Sequence, residues 1–155
     1  GLNLPLVYNC SGYEKLDILA ELDGVVDIYM PDIKYADAEI ARGYSGVEDY
    51  PEVARAALQE MHRQVGDLQL NENGEAVCGL LIRHLVMPGG LAGTAELMEF
   101  IAREISPTSW INVMDQYRPT YLAHRYPEIA RTITRREFEE ALHATCQASE
   151  GFHLL

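Results

Sequence analysis

The chain has 155 residues and a formal net charge of −12, with 48% hydrophobic and 23% charged residues. This balance is typical of a globular domain with its own core, so we expect residues 1–155 to form a single domain. The negative charge argues against nucleic acid as a partner, and the short apolar runs argue against a membrane span.

The first part of the chain alternates between strand-like and helix-like patterns. Residues 4–8 are predicted as a strand, and residues 9–12 as a turn. A helical period over residues 13–22 ends at Asp23-Gly24. The alternating run that starts at Val26 predicts a second strand, and Pro31 should mark its end.

The middle of the chain begins with a mixed segment, residues 35–49, in which residues 36–42 favour a short helix. Residues 51–65 form an amphipathic pattern, with Pro51 at the first helical position. The pair Asn73-Gly74 indicates a hairpin between residues 68–70 and 76–78. Residues 79–87 then predict the third main strand, which Pro88 ends.

The last part of the chain repeats the same order. Residues 94–105 favour a helix, and residues 109–114 a fourth strand. Thr134 and Glu137 have the spacing of a capping box, which predicts a helix that ends before Gly151. Residues 115–133 are irregular, and together with residues 35–49 we expect them to be the least ordered. The fold class is therefore α/β, with about four parallel strands alternating with helices.

Cysteine and histidine spacing predicts neither a disulfide framework nor a zinc site. Cys10, Cys78 and Cys146 are far apart and odd in number, and the five histidines form no H-x-x-x-H pair. We expect each cysteine to be a small buried apolar residue. Free thiols fit a reducing compartment, and no signal peptide opens the sequence, so we expect a cytoplasmic protein.

Polar and glycine residues cluster where the predicted strands end. The clusters are residues 9–12, residues 30–34, Arg83-His84 with residues 87–90, and residues 115–118. In parallel α/β sheets and barrels, ligands collect at the carboxyl ends of strands. Side chains alternate along a strand, so Asp32 and Lys34 should point to the same side. We therefore expect the chemistry of the protein at this edge.

Arg83 is the most informative of these residues, because it lies in an otherwise apolar strand. A guanidinium there needs an anionic partner, since an unpaired buried charge is very costly. Either Arg83 pairs with Asp32 or Asp27 inside the fold, or it binds a ligand. His84 is more often a hydrogen-bonded core histidine than a catalyst, and the tyrosines after residue 115 are typical of packing.

Three strand-end motifs together resemble the radical S-adenosylmethionine proteins. They are residues 29–35 (YMPDIKY), 82–89 (IRHLVMPG) and 113–117 (VMDQY). Within that superfamily, the chain resembles the branch similar to pyruvate formate-lyase activating enzyme. The resemblance covers essentially the whole chain.

The resemblance implies a partial TIM-type barrel of six strand–helix units, of which this chain would be the C-terminal part. It implies S-adenosylmethionine and a [4Fe–4S] cluster as cofactors of the parent protein. The family holds its cluster with a C-x-x-x-C-x-x-C loop, which this chain lacks, so we expect no cluster ligand here. The parent would be an oxidoreductase that cleaves S-adenosylmethionine reductively and abstracts a hydrogen atom, and the chain alone would be inactive.

The resemblance also implies roles for individual residues. Asn9, Cys10, Met30 and Asp32 match positions of a small cation site beside the carboxylate of the cofactor. Lys34 and Arg83 match a lysine near the cofactor and a strand arginine at its methionyl end. Gln116 and Tyr117 match the strand end that helps to bind the substrate. The implied protein partners are a glycyl-radical enzyme and a flavodoxin- or ferredoxin-type reductant.

Two other classes of function remain open. A barrel lyase or aldolase could use Lys34 as a Schiff-base nucleophile, which requires a dry pocket. A binding module without catalysis is the other alternative. If the chain is the C-terminal part of a barrel, one strand edge and one mouth of the core should be exposed, which favours self-association.

Overall fold

The structure, a computed structural model, describes residues 4–155. The strands are β1 (Val7–Cys10), β2 (Ile28–Ile33), β3 (Gln69–Leu70), β4 (Ala76–Leu85), β5 (Trp110–Met114) and β6 (His153–Leu154). The α-helices are α1 (Leu16–Glu21), α2 (Ala38–Ser45), α3 (Tyr50–Val65), α4 (Thr94–Phe100) and α5 (Arg135–Ala148). A π-helical turn, Ile101–Ile105, continues α4.

The predicted α/β class with a parallel sheet is confirmed. Five strands run parallel in the order β1-β2-β4-β5-β6, and β3 pairs antiparallel with β4. The fifth parallel strand, β6, was not predicted, because it has two residues and follows the glycine that ends the last helix. No helix in the described residues is long and apolar enough to cross a membrane.

All the crossovers step across the sheet in one direction, from β1 towards β6. Crossovers of one handedness that step in one direction place their helices on one face. Apolar side chains of α1, α3, α4 and α5 accordingly pack against a single face of the sheet. The strand residues on this face are Tyr8, Tyr29, Ile33, Leu80, Ile82, Ile111 and Val113, and Val86 directly follows β4 in the same cluster.

The opposite face carries the alternate strand residues and has no helical layer of this kind. We call it the open face, and define it by side chains that are half-buried or exposed: Asn9, Met30, Asp32, Leu81, Arg83, Leu85, Trp110 and Asn112. None of the apolar residues among them belongs to either buried cluster of the described chain. The sheet is therefore a single helix-covered layer.

Several predicted boundaries are wrong, each for a physical reason. β2 continues through Pro31, which pairs with Cys10 of β1, while the register with β4 skips Met30 and Pro31 and resumes at Asp32. The missing N–H therefore costs a local gap in the β2–β4 ladder and does not end the strand. Asn9 and Cys10 belong to β1 and not to a turn, because β2 extends the pairing to them. In the segment expected to be poorly ordered, Asp37 caps α2 by accepting the Ile40 N–H at 2.9 Å.

The capping box is confirmed, and the hairpin is confirmed as the pair β3–β4. β4 begins at Ala76, earlier than predicted, and contains Gly79 at φ +113°. A Cβ at Gly79 would lie 2.4 Å from the Asp67 carbonyl oxygen, so only glycine permits this close approach. Of the cysteines expected to be buried, Cys10 and Cys78 are half-buried and Cys146 is exposed on α5.

Candidate functional site

Arg83 and Asp32 form an ion pair on the open face, near the carboxyl ends of β4 and β2. They are direct partners in the parallel register. Arg83 Nε and Nη2 lie 2.7 and 2.6 Å from the same oxygen, Asp32 Oδ1. The other carboxylate oxygen, Oδ2, has no hydrogen-bond partner in the described chain. The two side chains keep 25% and 21% of their surface exposed, so the pair is accessible.

Of the two partners considered for Arg83, the structure selects Asp32. Asp27 instead accepts the backbone N–H of Leu6 at 2.7 Å, at the opposite end of β2. The strand arginine is thus explained by a pair within the fold. Because only one oxygen of Asp32 is used, the pair still leaves a carboxylate oxygen and a guanidinium edge free for a ligand.

The hydroxyl of Tyr50, at the start of α3, fixes the loops around this pair. It accepts the backbone N–H of Lys34 at 3.0 Å. Its own proton is within reach of the carbonyls of Ser11 and Asp32, at 3.2 and 3.3 Å. Burial raises the pKa of Tyr50, so the hydroxyl remains a donor at neutral pH. Gly12 completes the contact, since a Cβ there would meet the Asp32 carbonyl oxygen at 2.4 Å.

Met30 and Asn9 share the open face with the ion pair. They are register partners on β2 and β1, two residues before Asp32 along the strand direction. Cys10 does not join them, because it alternates onto the other face and packs against the helix-covered core. Burial there raises the pKa of the Cys10 thiol to about 11. The implied set of four positions is therefore reduced to three on one face.

Lys34 follows β2 directly and is half-buried. No carboxylate of the described residues lies within 4.0 Å of its amine. It is available to an anionic ligand. The open face is solvent-accessible around it, and this is not the dry pocket that a Schiff-base lysine requires.

His84 occupies a structural position. It is fully buried on the helix-covered face. Its Nδ1 lies 2.9 Å from the Ile33 carbonyl, which can only accept, so Nδ1 carries the proton. Nε2, 2.9 Å from the Thr94 hydroxyl, then accepts. Desolvation lowers the pKa of His84, so the ring is neutral and ties β4 to β2 and α4.

The residues after β5 divide between the surface and a second buried cluster. Gln116 is exposed, and its amide lies 3.4 Å from the Met114 sulfur. Tyr117 is half-buried against the cluster formed by Tyr35, Tyr50 and other side chains. Its hydroxyl donates to the Ile129 carbonyl at 2.9 Å. Of the two residues matched to substrate binding, only Tyr117 is held in a defined cavity wall.

Three residues of the site were missed by the sequence reasoning. Tyr50 acts through contacts with segments far away in the chain, so no local pattern reveals it. Asn112 and Trp110 are open-face residues of β5, and Asn112 is the register partner of Arg83. The alternation of β5 could have placed both on the same face as Met114. Trp110 also stacks on His153 of β6, with ring centroids 4.7 Å apart.

No three His, Cys, Asp or Glu side chains in residues 4–155 are grouped so that they could hold a metal ion. The three cysteines lie on β1, β4 and α5. Three thiolates must converge to hold an iron–sulfur cluster, so these residues do not fit one.

The chain matches no protein-family model. It is similar to the uncharacterized protein MJ0674 of Methanocaldococcus jannaschii, with 34% identity over 141 residues. The match covers 90% of this chain and 37% of that protein. The chain thus spans little more than a third of the length of this relative, whose name assigns no activity.

Proposed function

We propose that this chain is the C-terminal part of a radical S-adenosylmethionine enzyme resembling pyruvate formate-lyase activating enzyme. In this proposal the sheet is an arc of a partial TIM-type barrel, and the open face lines the barrel interior. The strand order supports it, because a sheet that adds every strand on the same side keeps its helices outside and curves towards closure. The three ordered strand-end motifs support the choice of family.

The observation that carries the proposal is the half-used ion pair of Asp32 and Arg83. The methionyl end of S-adenosylmethionine carries an ammonium and a carboxylate. Asp32 Oδ2 is free to accept from the ammonium, and the guanidinium of Arg83 can donate to the carboxylate. Lys34 adds a second cation at this edge, and Met30 and Asn9 line the same face.

The cluster would be held by a part of the parent protein outside this chain. When bound, it supplies the electron that cleaves S-adenosylmethionine. The residues described here would bind and orient the cofactor and shield it from water. The relative MJ0674 is long enough to contain such a part. The proposed partners remain a glycyl-radical enzyme and a flavodoxin- or ferredoxin-type reductant in the cytoplasm.

Calorimetric titration of the full-length protein with S-adenosylmethionine tests the proposal. Asp32→Asn and Arg83→Lys should each weaken binding by roughly tenfold, because each removes one charge-assisted contact or its fork geometry. Arg136→Gln is the matched control, since it removes one cation from an exposed pair with Glu140 on α5. Equal affinity in all three variants, or no binding by the wild-type protein, would refute the proposed cofactor site.

Two further measurements separate the alternatives. Reconstitution with iron, sulfide and reductant should give cluster absorbance in the full-length protein and none in the 155-residue chain. Borohydride reduction in the presence of carbonyl substrates should leave Lys34 unmodified. A trapped adduct on Lys34 would instead establish the lyase or aldolase class.

A further inference from the structure

A pocket of about 250 Å³ is lined by residues beyond the carboxyl ends of the strands, and no open-face residue is among them. Its lining comes from residues that follow β2, β4 and β5. We call it the rim pocket and define it by Tyr35, Tyr44, Met87, Tyr117, Arg118 and Tyr126, with Tyr121 and Ile129 also in its lining. Most of these residues do not belong to the cofactor site proposed above.

Five tyrosines are in the walls of the rim pocket, and most of their hydroxyls already form hydrogen bonds. Tyr117 donates to the Ile129 carbonyl at 2.9 Å, and Tyr44 donates to Glu128 at 2.7 Å. The hydroxyl of Tyr35 receives a hydrogen bond from Ser45 at 3.0 Å. These side chains therefore offer ring surfaces to a ligand, and the interior of the pocket favours a flat, apolar body.

Arg118 supplies the one cation in the lining of the rim pocket. Eight other arginines of the described chain have a carboxylate within 4.0 Å. Arg118 has none among the same residues, although the chain carries a net charge of −12. A guanidinium left without a carboxylate partner in so acidic a protein is suited to bind an anion, and a carboxylate fits its planar fork.

Tyr121 is a second, independent sign of a ligand at this place. It has φ 53°, the left-handed region, which no other non-glycine residue of the described chain adopts. Its side chain is 89% exposed, so packing within the chain does not compensate for that backbone conformation. A lining residue held in this conformation without packing in return is explained if it contacts a bound molecule.

We propose that the rim pocket binds a small carboxylate with a flat, apolar body. The carboxylate pairs with Arg118, the body lies between the tyrosine rings, and Tyr121 closes over it. A volume of about 250 Å³ is roughly that of eight waters in the liquid, which suits a small organic acid.

Titration of the protein with benzoate, followed by NMR or calorimetry without S-adenosylmethionine, tests this site. Benzamide is the probe of similar shape without charge, and benzylammonium is the probe of opposite charge. We expect saturable binding of benzoate and roughly tenfold to hundredfold weaker binding of the other two. Because S-adenosylmethionine is absent, the result is independent of the cofactor site, and either proposal can fail while the other holds.

Arg118→Gln should weaken benzoate binding by at least roughly tenfold. Arg125→Gln is its matched control: Arg125 is also an exposed arginine without a carboxylate partner in the described chain, in the same segment but outside the pocket lining. It should change the affinity no more than about twofold. The proposal fails if the two variants behave alike, if benzamide equals benzoate, if benzylammonium binds more tightly, or if inorganic phosphate competes fully with benzoate.

Discussion

At the scale of the residue, the pair of Arg83 and Asp32 combines a structural and a functional role. Each side chain is about three-quarters buried, and Oδ1 of Asp32 receives both contacts. Arg83→Gln should lower the free energy of unfolding by about 1–2 kcal/mol, less than the ~3–5 kcal/mol typical of a fully buried pair, because the remaining carboxylate keeps some solvent. Urea denaturation measures the difference.

The control for this change is Arg136→Gln, which breaks a pair on α5 whose arginine is 87% exposed. Such a pair contributes little, so we expect a clearly smaller change than for Arg83→Gln. If both variants lose the same amount of stability, the pair of Arg83 and Asp32 contributes no more to folding than an exposed surface pair.

The left-handed backbone conformation of Tyr121 leads to a second prediction for a single residue. Tyr121→Gly should raise the free energy of unfolding of the ligand-free protein by about 0.5–1 kcal/mol, since glycine removes the left-handed penalty but adds chain entropy. Tyr121→Ala keeps the penalty and loses only an exposed ring, so it should have almost no effect. Thermal melting of both variants checks this. A loss of stability in the glycine variant would show that the ring packs against the protein.

At the scale of the element, His84 joins β4 to β2 and α4 as a buried neutral ring. Its pKa is lowered from 6.5 by desolvation, so unfolding takes up a proton once the pH falls below that value. Stability is therefore fully present above pH 6.5 and falls as the pH drops towards the folded pKa, by up to about 1.4 kcal/mol per pH unit. Unfolding free energies measured between pH 7 and pH 5 should show this slope.

The slope should vanish in His84→Gln and persist in His143→Gln, which changes an exposed histidine of α5. The range from pH 7 to pH 5 isolates His84, because the carboxylates that the fold stabilises take up protons only at a lower pH. Hydrogen bonds from Arg131 and from the N–H groups of Thr134 and Gly89 hold the pKa of Glu137 far below its usual range. A slope that survives in His84→Gln would mean that another group takes up the proton.

The strands and helices differ in how far the sequence could predict them. Alternation and capping residues identified β1, β2, β4, β5 and α5, because those signals are local, but not the two-residue β6. The rule for Pro31 gave a wrong strand end, since pairing with β1 on one side, and with β4 again from Asp32, carries the strand across the missing N–H. Arg83 was recognised as needing a partner, but the choice of Asp32 depends on a register between strands 51 residues apart. Tyr50 is reached only through the folded chain.

At the scale of the whole molecule, the one-sided sheet leaves apolar surface on the open face and along β1. Met30, Leu81, Leu85 and Trp110 have no helical layer over them in the described chain. Val7, on the outer strand β1, is 48% exposed. Edge strands and apolar faces of this kind pair with other chains, whereas a net charge of −12 opposes the approach of a second copy.

These two opposing effects predict salt-dependent self-association. The Debye length falls from about 10 Å at 0.1 M to about 3 Å at 1 M salt, so the repulsion is screened while the apolar contact is not. Sedimentation velocity should show mostly monomer at low salt and dimer or larger species at high salt. Val7→Lys, which charges the edge, should keep the protein monomeric, and Val25→Lys, an equally exposed site before β2, should not. A monomer at every salt concentration would show that the open face is stable in water by itself. The open face would then need no covering layer, and the barrel proposal would lose this support.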